Sequence, residues 1–381
     1  MYIEANIIPL MRRLLEEDDE FLRGRCLGAL ANLASNNTKA VERMPDMEDA
    51  IVEMLCQHDS EQLQCRCLQL LWALLRAARS KRQKPPVFSS SRLLGAVLDA
   101  LAKHSKSENL QVQGMGFLWN LTALGQEQKR WVLEHNGLRL AVAALETHAD
   151  SRPVQHHGLE LLRSLSCLGP EARKQVQNAR AVDFAKAALV MRGDPRILCA
   201  ATALLGNLAC GDPAVKRQLF DQDIPKEILS GMEDYARDVG VQVVGAWALG
   251  NFVGVSRKRA RQLYELGGKD RVFLAMSEYP LNDSMKMYGT AVIRRLELVQ
   301  DLTMSADKME EDDEEDANAD EIAEGKSFAE LDKEVEEDAG SESESSEDAE
   351  LQAKIQALAK QTGQGQGDTR SGVKLGSDDG D

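Results

Sequence analysis

Cysteine and histidine are the side chains whose chemistry is easiest to recognise in this chain. There are seven cysteines, two of them in a Cys65-x-Cys67 pair, and His156 is adjacent to His157. A structural zinc site needs a second pair of ligands at a matching spacing, which the Cys65-x-Cys67 pair lacks. Adjacent histidines at the start of a helix point in different directions and make a poor metal pair. We therefore expect buried or partly buried free thiols in a reducing compartment, with no metal ion and no cofactor.

Sequence motifs of common active sites are absent. The chain contains no GxSxG, no HExxH, no phosphate-binding GxxxxGK[ST] and no GxGxxG. Its acidic stretches also lack the glycine and the ligand spacing of a calcium-binding loop. No residue is assigned a catalytic role, and the sequence favours a protein that is not an enzyme.

Asparagine recurs at a regular interval in similar apolar stretches. GAWALGNFV at 245–253 has relatives such as GRCLGALANLA at 24–34 and VQGMGFLWNLT at 112–122. Seven aligned stretches place one residue each in a column, called here the anchor column: Asn32, Ala73, Asn120, Ser164, Asn207, Asn251 and Arg295. Neighbouring members are 41 to 47 residues apart. This period is that of helical HEAT and armadillo repeats.

The other columns of the alignment predict how each repeated helix packs. The positions two before and one after the anchor are apolar, and the position six before it is always small. The apolar columns contain Leu30, Leu71, Leu118, Leu162, Leu205, Leu249 and Ile293, then Leu33, Leu74, Leu121, Leu165, Leu208, Phe252 and Leu296. The small column contains Cys26, Cys67, Gly114, Gly158, Ala201, Gly245 and Gly289. At about 100° per residue these columns share one face, so we expect core packing there and exposed anchor side chains roughly opposite.

Residues 1 to about 300 resemble the armadillo family. Its repeats have a short first helix, a second helix and a long third helix with an LxNL-like core, and the third helices line a concave groove. The resemblance implies an all-α, right-handed superhelix of about seven repeats over residues 1–303. It also implies that anchor asparagines bind the backbone of an extended peptide, because an amide both donates and accepts hydrogen bonds. Those residues are Asn32, Asn120, Asn207 and Asn251.

Tryptophan adds a second set of candidate groove residues. Trp72 and Trp119 precede the anchor by one position and Trp247 precedes it by four, on the side predicted to be exposed. Aromatic residues are frequent in binding hot spots, although these rings are also compatible with packing between neighbouring third helices. Trp247 and Asn251 form the WxxxN pattern of importin-α, which this chain resembles in one repeat only.

Basic residues suggest a charge preference in part of the groove. Arg163 and Arg294 lie on the predicted exposed side, and Ser164 and Arg295 occupy the anchor column, which favours acidic or phosphorylated ligand residues. The clusters KRQK at 81–84 and RKRAR at 257–261 are compatible with nuclear-import signals or with solvated surface charge. The second cluster is expected on a short first helix.

The acidity of the chain is concentrated near its C-terminus. Residues 305–350 contain 22 Asp and Glu against three Lys, within a total net charge of −16. We predict that residues 304–381 are a disordered acidic tail, with helical spacing only at 349–361. Ser341 and Ser345 each have an acidic residue three positions later and are candidate phosphorylation sites. Removing the tail is expected to change the affinity of the groove in a salt-dependent way.

The sequence favours a non-catalytic scaffold that binds an extended segment of a partner protein and acts in the cytoplasm, the nucleus or both. Two alternatives stay open: a nuclear-transport adaptor for lysine-rich cargo, and an armadillo-type nucleotide-exchange cofactor of a heat-shock chaperone. The low aromatic content of 4% and the near-neutral charge of the repeat region do not favour nucleic-acid binding. The chain contains no apolar run of about 20 residues, the length that a membrane-spanning helix needs. The N-terminus starts inside a repeat pattern without a signal-peptide leader, which hints that the chain start is incomplete.

Overall fold

The computed structural model describes residues 2–35, 37–44, 47–80, 90–191 and 193–300. The described residues form nineteen α-helices and no strand. The predicted tail, with Ser341, Ser345 and the 349–361 segment, and the KRQK cluster lie outside the described residues. Among the described helices, none combines the length and the apolar character needed to cross a membrane.

The helices form a repeating unit of a short first helix, a second helix and a longer third helix. The first helices are α3 (Thr38–Val41), α8 (Gln126–Glu134), α11 (Pro170–Asn178), α14 (Pro213–Asp221) and α17 (Arg257–Glu265). The second helices are α1 (Tyr2–Leu14), α4 (Met47–Gln57), α6 (Ser91–Lys103), α9 (Gly137–Thr147), α12 (Ala181–Leu189), α15 (Ile224–Asp234) and α18 (Gly268–Glu278). The third helices are α2 (Glu20–Ser35), α5 (Glu61–Ser80), α7 (Glu108–Thr122), α10 (Arg152–Ser166), α13 (Pro195–Ala209), α16 (Val239–Val253) and α19 (Asp283–Gln300). Each third helix packs beside the next along the chain, so the seven predicted repeats form one continuous stack.

Third helices begin at short polar residues that cap them. The side chains of Ser107, Ser151 and Asp238 each accept a hydrogen bond from the backbone N–H three residues later. Such a cap satisfies one of the amide groups left unpaired at a helix start and contributes about 1 kcal/mol. In α13, Asp194 caps a helix whose first residue is Pro195, which has no amide hydrogen to satisfy.

The predicted core columns are confirmed. Every residue two positions before the anchor is fully buried, and the residues one position after it are buried except for the half-buried Leu33. The small column lies where the second helix of the same repeat crosses the third. A Cβ atom at Gly158 would lie 2.7 Å from Leu145 Cδ2, and one at Gly245 would lie 2.6 Å from Met232 Sδ. The residues of the small column have small side chains because a larger one would overlap with the crossing second helix.

A glutamine near the start of the third helix forms hydrogen bonds to the end of the second helix, which we had not predicted from the sequence. Gln111 Nε2 donates hydrogen bonds to the carbonyl oxygens of Leu101 and His104, at 2.9 and 3.1 Å. These carbonyls belong to the end of the second helix, where the last turn has no intrahelical donor. The same arrangement recurs at Gln64, Gln155 and Gln242. In the sequence, this contact is marked by a glutamine nine positions before the anchor of each of these repeats.

Candidate functional site

The prediction that the anchor column is exposed is wrong for most of its members. Asn120, Ser164 and Asn207 are 4%, 6% and 0% exposed. Asn251 is half-buried and Asn32, in the first repeat, is exposed. The anchor column therefore does not form a uniform exposed row, and the binding of a peptide backbone by its asparagines stays a prediction.

The anchor side chains are buried because they reach toward the preceding third helix. Asn207 Nδ2 donates to the Arg163 carbonyl oxygen at 3.3 Å and to Ser166 Oγ at 3.0 Å. One repeat later Asn251 Nδ2 lies 3.5 Å from the Gly206 carbonyl oxygen, and in the last repeat Arg295 Nη1 donates to the Gly250 carbonyl oxygen at 2.8 Å. The anchor column thus ties successive third helices together, using carbonyl groups near their C-terminal ends. Asn120 instead bonds within its own helix, to the Gly116 carbonyl oxygen.

The accessible side of the third helices lies next to the anchor column. It lies at positions one, four and eight before the anchor and three after it, which form a single stripe on a helix. In the repeats of α13 and α16 five of the eight such positions are buried. In α5, α7 and α10 this stripe, called here the third-helix surface, contains Gln69, Trp72, Arg76, Trp119, His156, Glu160 and Arg163, all half-buried or exposed. Of the predicted site residues, Trp72, Trp119 and Arg163 therefore lie together on one surface. Arg294 is also exposed, at the equivalent position of α19.

The centre of the third-helix surface is a cluster of aromatic rings from three repeats. The ring centroids of Trp72 and His157 are 5.0 Å apart in an edge-to-face arrangement, and Trp119 stacks on His157 at 5.8 Å. His156 meets the edge of Trp119 at 5.4 Å. The Arg76 guanidinium lies over the Trp72 ring, 5.7 Å from its centroid. Aromatic pairs and a cation over a ring each stabilise such a cluster by about 1 kcal/mol, so the surface is held rigid.

Both histidines of the cluster favour the neutral form. Burial lowers the pKa of His157 to about 4, with a further lowering from neighbouring His156. Burial also lowers the pKa of His156, although Glu160 opposes this shift. His157 Nδ1 lies 3.1 Å from the Val112 carbonyl oxygen, which can only accept, so neutral His157 carries its proton on Nδ1. At neutral pH the cluster is therefore aromatic rather than cationic, apart from Arg76.

Acidification is expected to destabilise the protein through His157. Because its folded-state pKa is depressed from about 6.5, the unfolded chain binds the proton first. The stability that neutral His157 contributes is present above about pH 6.5 and is lost as the pH falls toward 4. Between pH 7 and 4.5, we expect a His157→Gln variant to lose about 2 kcal/mol less of its unfolding free energy than the unmodified protein. Urea unfolding at both pH values measures this difference. The exposed His135→Gln variant serves as the control, and equal losses for all three proteins would contradict the assignment.

Trp247 does not belong to the accessible surface, in contrast to the prediction. It is 3% exposed, and a Cβ atom at Gly206 would lie 2.6 Å from its Cη2 atom. Trp247 is four positions before its anchor and Gly206 is one position before the anchor of the preceding repeat. Trp72 and Gly116 show the converse, with the tryptophan one position before its anchor and the glycine four before the next. In these two pairs the tryptophan of one helix fills the space that the glycine of the neighbouring helix leaves open. Trp119 has Glu160 at the corresponding position of the next repeat, and both side chains are half-buried.

The predicted basic patch is partly neutralised. Arg163 Nε forms a 2.8 Å ion pair with Glu160, one helical turn earlier, and the two side chains are 21% and 14% exposed. Ser164 points away from the surface and is buried. The preference for acidic or phosphorylated residues, predicted from Arg163, Ser164, Arg294 and Arg295, stays a prediction; Arg295 is half-buried and donates to the Gly250 carbonyl oxygen.

The cysteines of the described region are free thiols. Cys26, Cys67, Cys167 and Cys210 are buried, Cys65 and Cys199 are half-buried, and Cys56 is exposed. Burial raises the pKa of Cys199 to about 12 and raises that of Cys67 further, so both remain protonated at neutral pH. Among the described residues, no group of three or more Cys, His, Asp or Glu side chains could hold a metal ion. The fold therefore uses these thiols as small apolar side chains.

Comparison with solved structures identifies the class of protein. One structure, from work on a phosphorylation switch that controls the interaction between cadherin and β-catenin, has a TM-score of 0.60 at 18% identity, covering 81% of this chain and 54% of its own. A designed armadillo repeat protein in complex with the peptide (KR)4 has a TM-score of 0.50 at 15% identity, covering 66% of this chain and 99% of its own. No family profile and no curated relative matches the sequence. The protein is an α-helical repeat solenoid. Its repeats have the armadillo architecture that the sequence predicted.

Proposed function

We propose that this protein is a non-catalytic scaffold that binds an extended segment of a partner protein across its third-helix surface. The observation that carries the proposal is the cluster of Trp72, Trp119 and His156, whose rings come from three successive repeats and remain partly accessible. Partly exposed aromatic rings held rigidly in place are the usual anchors of protein interfaces. The structural neighbours support the same reading, since one is described with a bound peptide and the other with a protein interaction.

We assign different ligand contacts to different accessible residues. Trp72 and Trp119 would contact apolar parts of the ligand, while Arg76 and Arg163 would meet acidic or phosphorylated groups. Exposed Asn32 and half-buried Asn251 have amides within reach of a ligand backbone. The buried predicted residues lie behind the third-helix surface, where Asn207 and Trp247 contact the neighbouring third helix. The full set of buried predicted residues is Asn120, Ser164, Asn207 and Trp247.

Replacing Trp119 with alanine is expected to weaken partner binding by about 30-fold, because truncation of a central aromatic anchor costs about 2 kcal/mol. Affinity capture with the full chain would supply the partner segment, and titration of that peptide would give the dissociation constant for each variant. Trp131→Ala is the matched control, since Trp131 is a half-buried tryptophan on α8, outside the third-helix surface. Equal loss of affinity in both variants, or none in Trp119→Ala at unchanged helicity, would refute the site.

The two alternative functions require different surface features and different activities of this protein. An importin-α-like adaptor needs accessible tryptophans for the stems of cargo lysines, whereas Trp247 of the single WxxxN pattern is packed on Gly206. A peptide array of lysine-rich sequences, with binding lost on substitution of Trp72 or Trp119, would favour this alternative. A nucleotide-exchange cofactor would instead accelerate nucleotide release from a heat-shock chaperone in a mixing assay. The scaffold proposal expects neither activity.

The proposal also includes a regulatory role for the acidic tail and a location in the cell. Residues 305–350 carry a net charge of −19 and would regulate binding through electrostatics, which weaken with added salt. The proposed scaffold acts in the cytoplasm, the nucleus or both. Microscopy of the tagged full chain, with and without neutralising substitutions in KRQK at 81–84, tests whether that cluster directs nuclear import.

A further inference from the structure

An exposed basic residue occurs at the same position of four successive first helices. It is the fifth residue of α8, α11, α14 and α17, and the four residues, called here the basic row, are Arg130, Lys174, Arg217 and Arg261. All four are exposed. Two positions further on each helix has a buried apolar residue, which shows that the four helices face their cores in the same way: Val132, Val176, Leu219 and Leu263. Equivalent positions in stacked repeats project in the same direction, so the row is one continuous edge of the solenoid.

Positive charge increases toward the C-terminal end of the basic row. Residues 1–250 contain 30 Lys and Arg and 30 Asp and Glu, whereas residues 251–300 contain nine against five. The last repeat therefore carries a net charge of +4 in a solenoid that is otherwise neutral. At this end α17 adds exposed Arg257 and half-buried Lys258 to Arg261, which forms an ion pair with Glu265 at 3.0 Å. Arg259 turns inward and donates to the Val253 carbonyl oxygen.

We propose that the acidic segment 309–350 of the same chain binds along the basic row, beginning at α17. The most acidic run, at 309–316, starts nine residues after the last described residue, beside the most basic repeat. A chain of this length spans about 140 Å when extended, whereas four helices side by side cover about 30 Å. The tether keeps the segment at an effective concentration near the millimolar range, which makes even weak ion pairs persist. Phosphorylation of Ser341 or Ser345 would add negative charge and strengthen the contact.

This docking site is separate from the third-helix surface. The basic row lies on the first helices and the aromatic cluster on the third, so the tail leaves Trp72 and Trp119 accessible. The docking does not depend on any groove ligand, and its failure would leave the proposed binding of a partner segment at the third-helix surface untouched. In the docked position the tail would also screen the basic row against other acidic chains, including nucleic acid.

Zero-length carbodiimide coupling of the dilute, full-length protein tests the proposal, because it joins a carboxylate to a lysine only when the two are in contact. We expect the carboxylates of 309–350 to couple to Lys174 and Lys258 at least about fivefold more than to exposed Lys186 and Lys226, which lie off the row. Raising the salt from about 0.05 to 0.5 M should remove most of this excess, since the Debye length falls from about 14 to 4 Å. Peptide mass spectrometry identifies the coupled pairs.

A matched pair of double variants locates the contact. Arg217→Gln with Arg261→Gln removes two charges of the row and should lower the coupling at Lys174 and Lys258 about threefold or more. Arg92→Gln with Arg139→Gln removes two exposed charges elsewhere and should leave it unchanged. Even coupling over all exposed lysines, or equal effects of the two variants, would overturn the proposal. So would coupling only between molecules, which mixed isotope-labelled and unlabelled chains reveal.

Discussion

Replacing Gly206 with alanine is expected to lower the free energy of unfolding by about 1–3 kcal/mol, although glycine to alanine in a helix normally raises it by about 1 kcal/mol. The sign reverses because Gly206 lies under the Trp247 ring, where a new Cβ atom would be 2.6 Å from Cη2. The clash involves a rigid indole that is 3% exposed. Urea unfolding followed by circular dichroism measures the change in midpoint.

Gly95 is the matched control for this prediction. It lies within α6, and a Cβ atom there would meet nothing within 4 Å. Gly95→Ala should therefore stabilise the protein by about 0.5–1 kcal/mol. In a double-mutant cycle, Trp247→Leu should cost at least about 1 kcal/mol less in the Gly206→Ala background than alone. Destabilisation without coupling between the two positions would show that something other than the ring excludes the methyl group.

Replacing Asn207 with leucine is expected to cost about 1–3 kcal/mol, whereas the same change at Asn32 should have an effect within about 0.5 kcal/mol. The two residues occupy the same column of the repeat. Asn207 is fully buried and its amide donates to the Arg163 carbonyl oxygen and to Ser166 Oγ. Leucine fills a similar volume but leaves the carbonyl and the hydroxyl without this donor. Asn32 is exposed, so its removal leaves no buried partner unsatisfied.

Unfolding curves of the two leucine variants, measured side by side, test this difference. An Asn207→Ser variant extends the test, since a hydroxyl keeps a donor but is too short to span the helices. It should recover less than half of the lost free energy. Similar stabilities for Asn207→Leu and Asn32→Leu would mean that the hydrogen bonds of Asn207 to the preceding third helix contribute nothing measurable. In that case the anchor asparagines would be retained for binding alone.

The two predictions concern the same structural rule. Side chains at or next to the anchor column occupy space between adjacent third helices, either as a tryptophan packed on a glycine or as a polar group that reaches across. Gly116 accepts Trp72 from the preceding repeat and Gly206 accepts Trp247 from the following one. The sequence contains a tryptophan and a glycine in each of these two pairs, but Trp119 and Glu160 occupy the same two positions without such an exchange, so the column pattern alone does not predict which rings are buried.

The repeat period, the core columns and the small column were determined by the sequence alone. They follow from the geometry of one helix, because a period of 3.6 residues decides which side chains share a face. Leu118 and Leu205 are buried and Gly158 meets Leu145, as the local pattern predicts. The short first helix at 257–265 likewise follows from the spacing of the repeats.

Only the tertiary structure decided which side of the third helices is accessible. A helical wheel treats the face opposite the core as solvent, but in a stack each third helix covers part of that face on its neighbour. Asn207 and Trp247 were therefore predicted on the surface and are buried, while Trp72, Trp119 and His156, on α5, α7 and α10, remain partly accessible. The pKa of His157 has the same origin, since it is the rings of two other repeats that exclude water from its imidazole. Contacts between residues more than 40 positions apart are set by how helices dock, and no local period of the sequence contains that information.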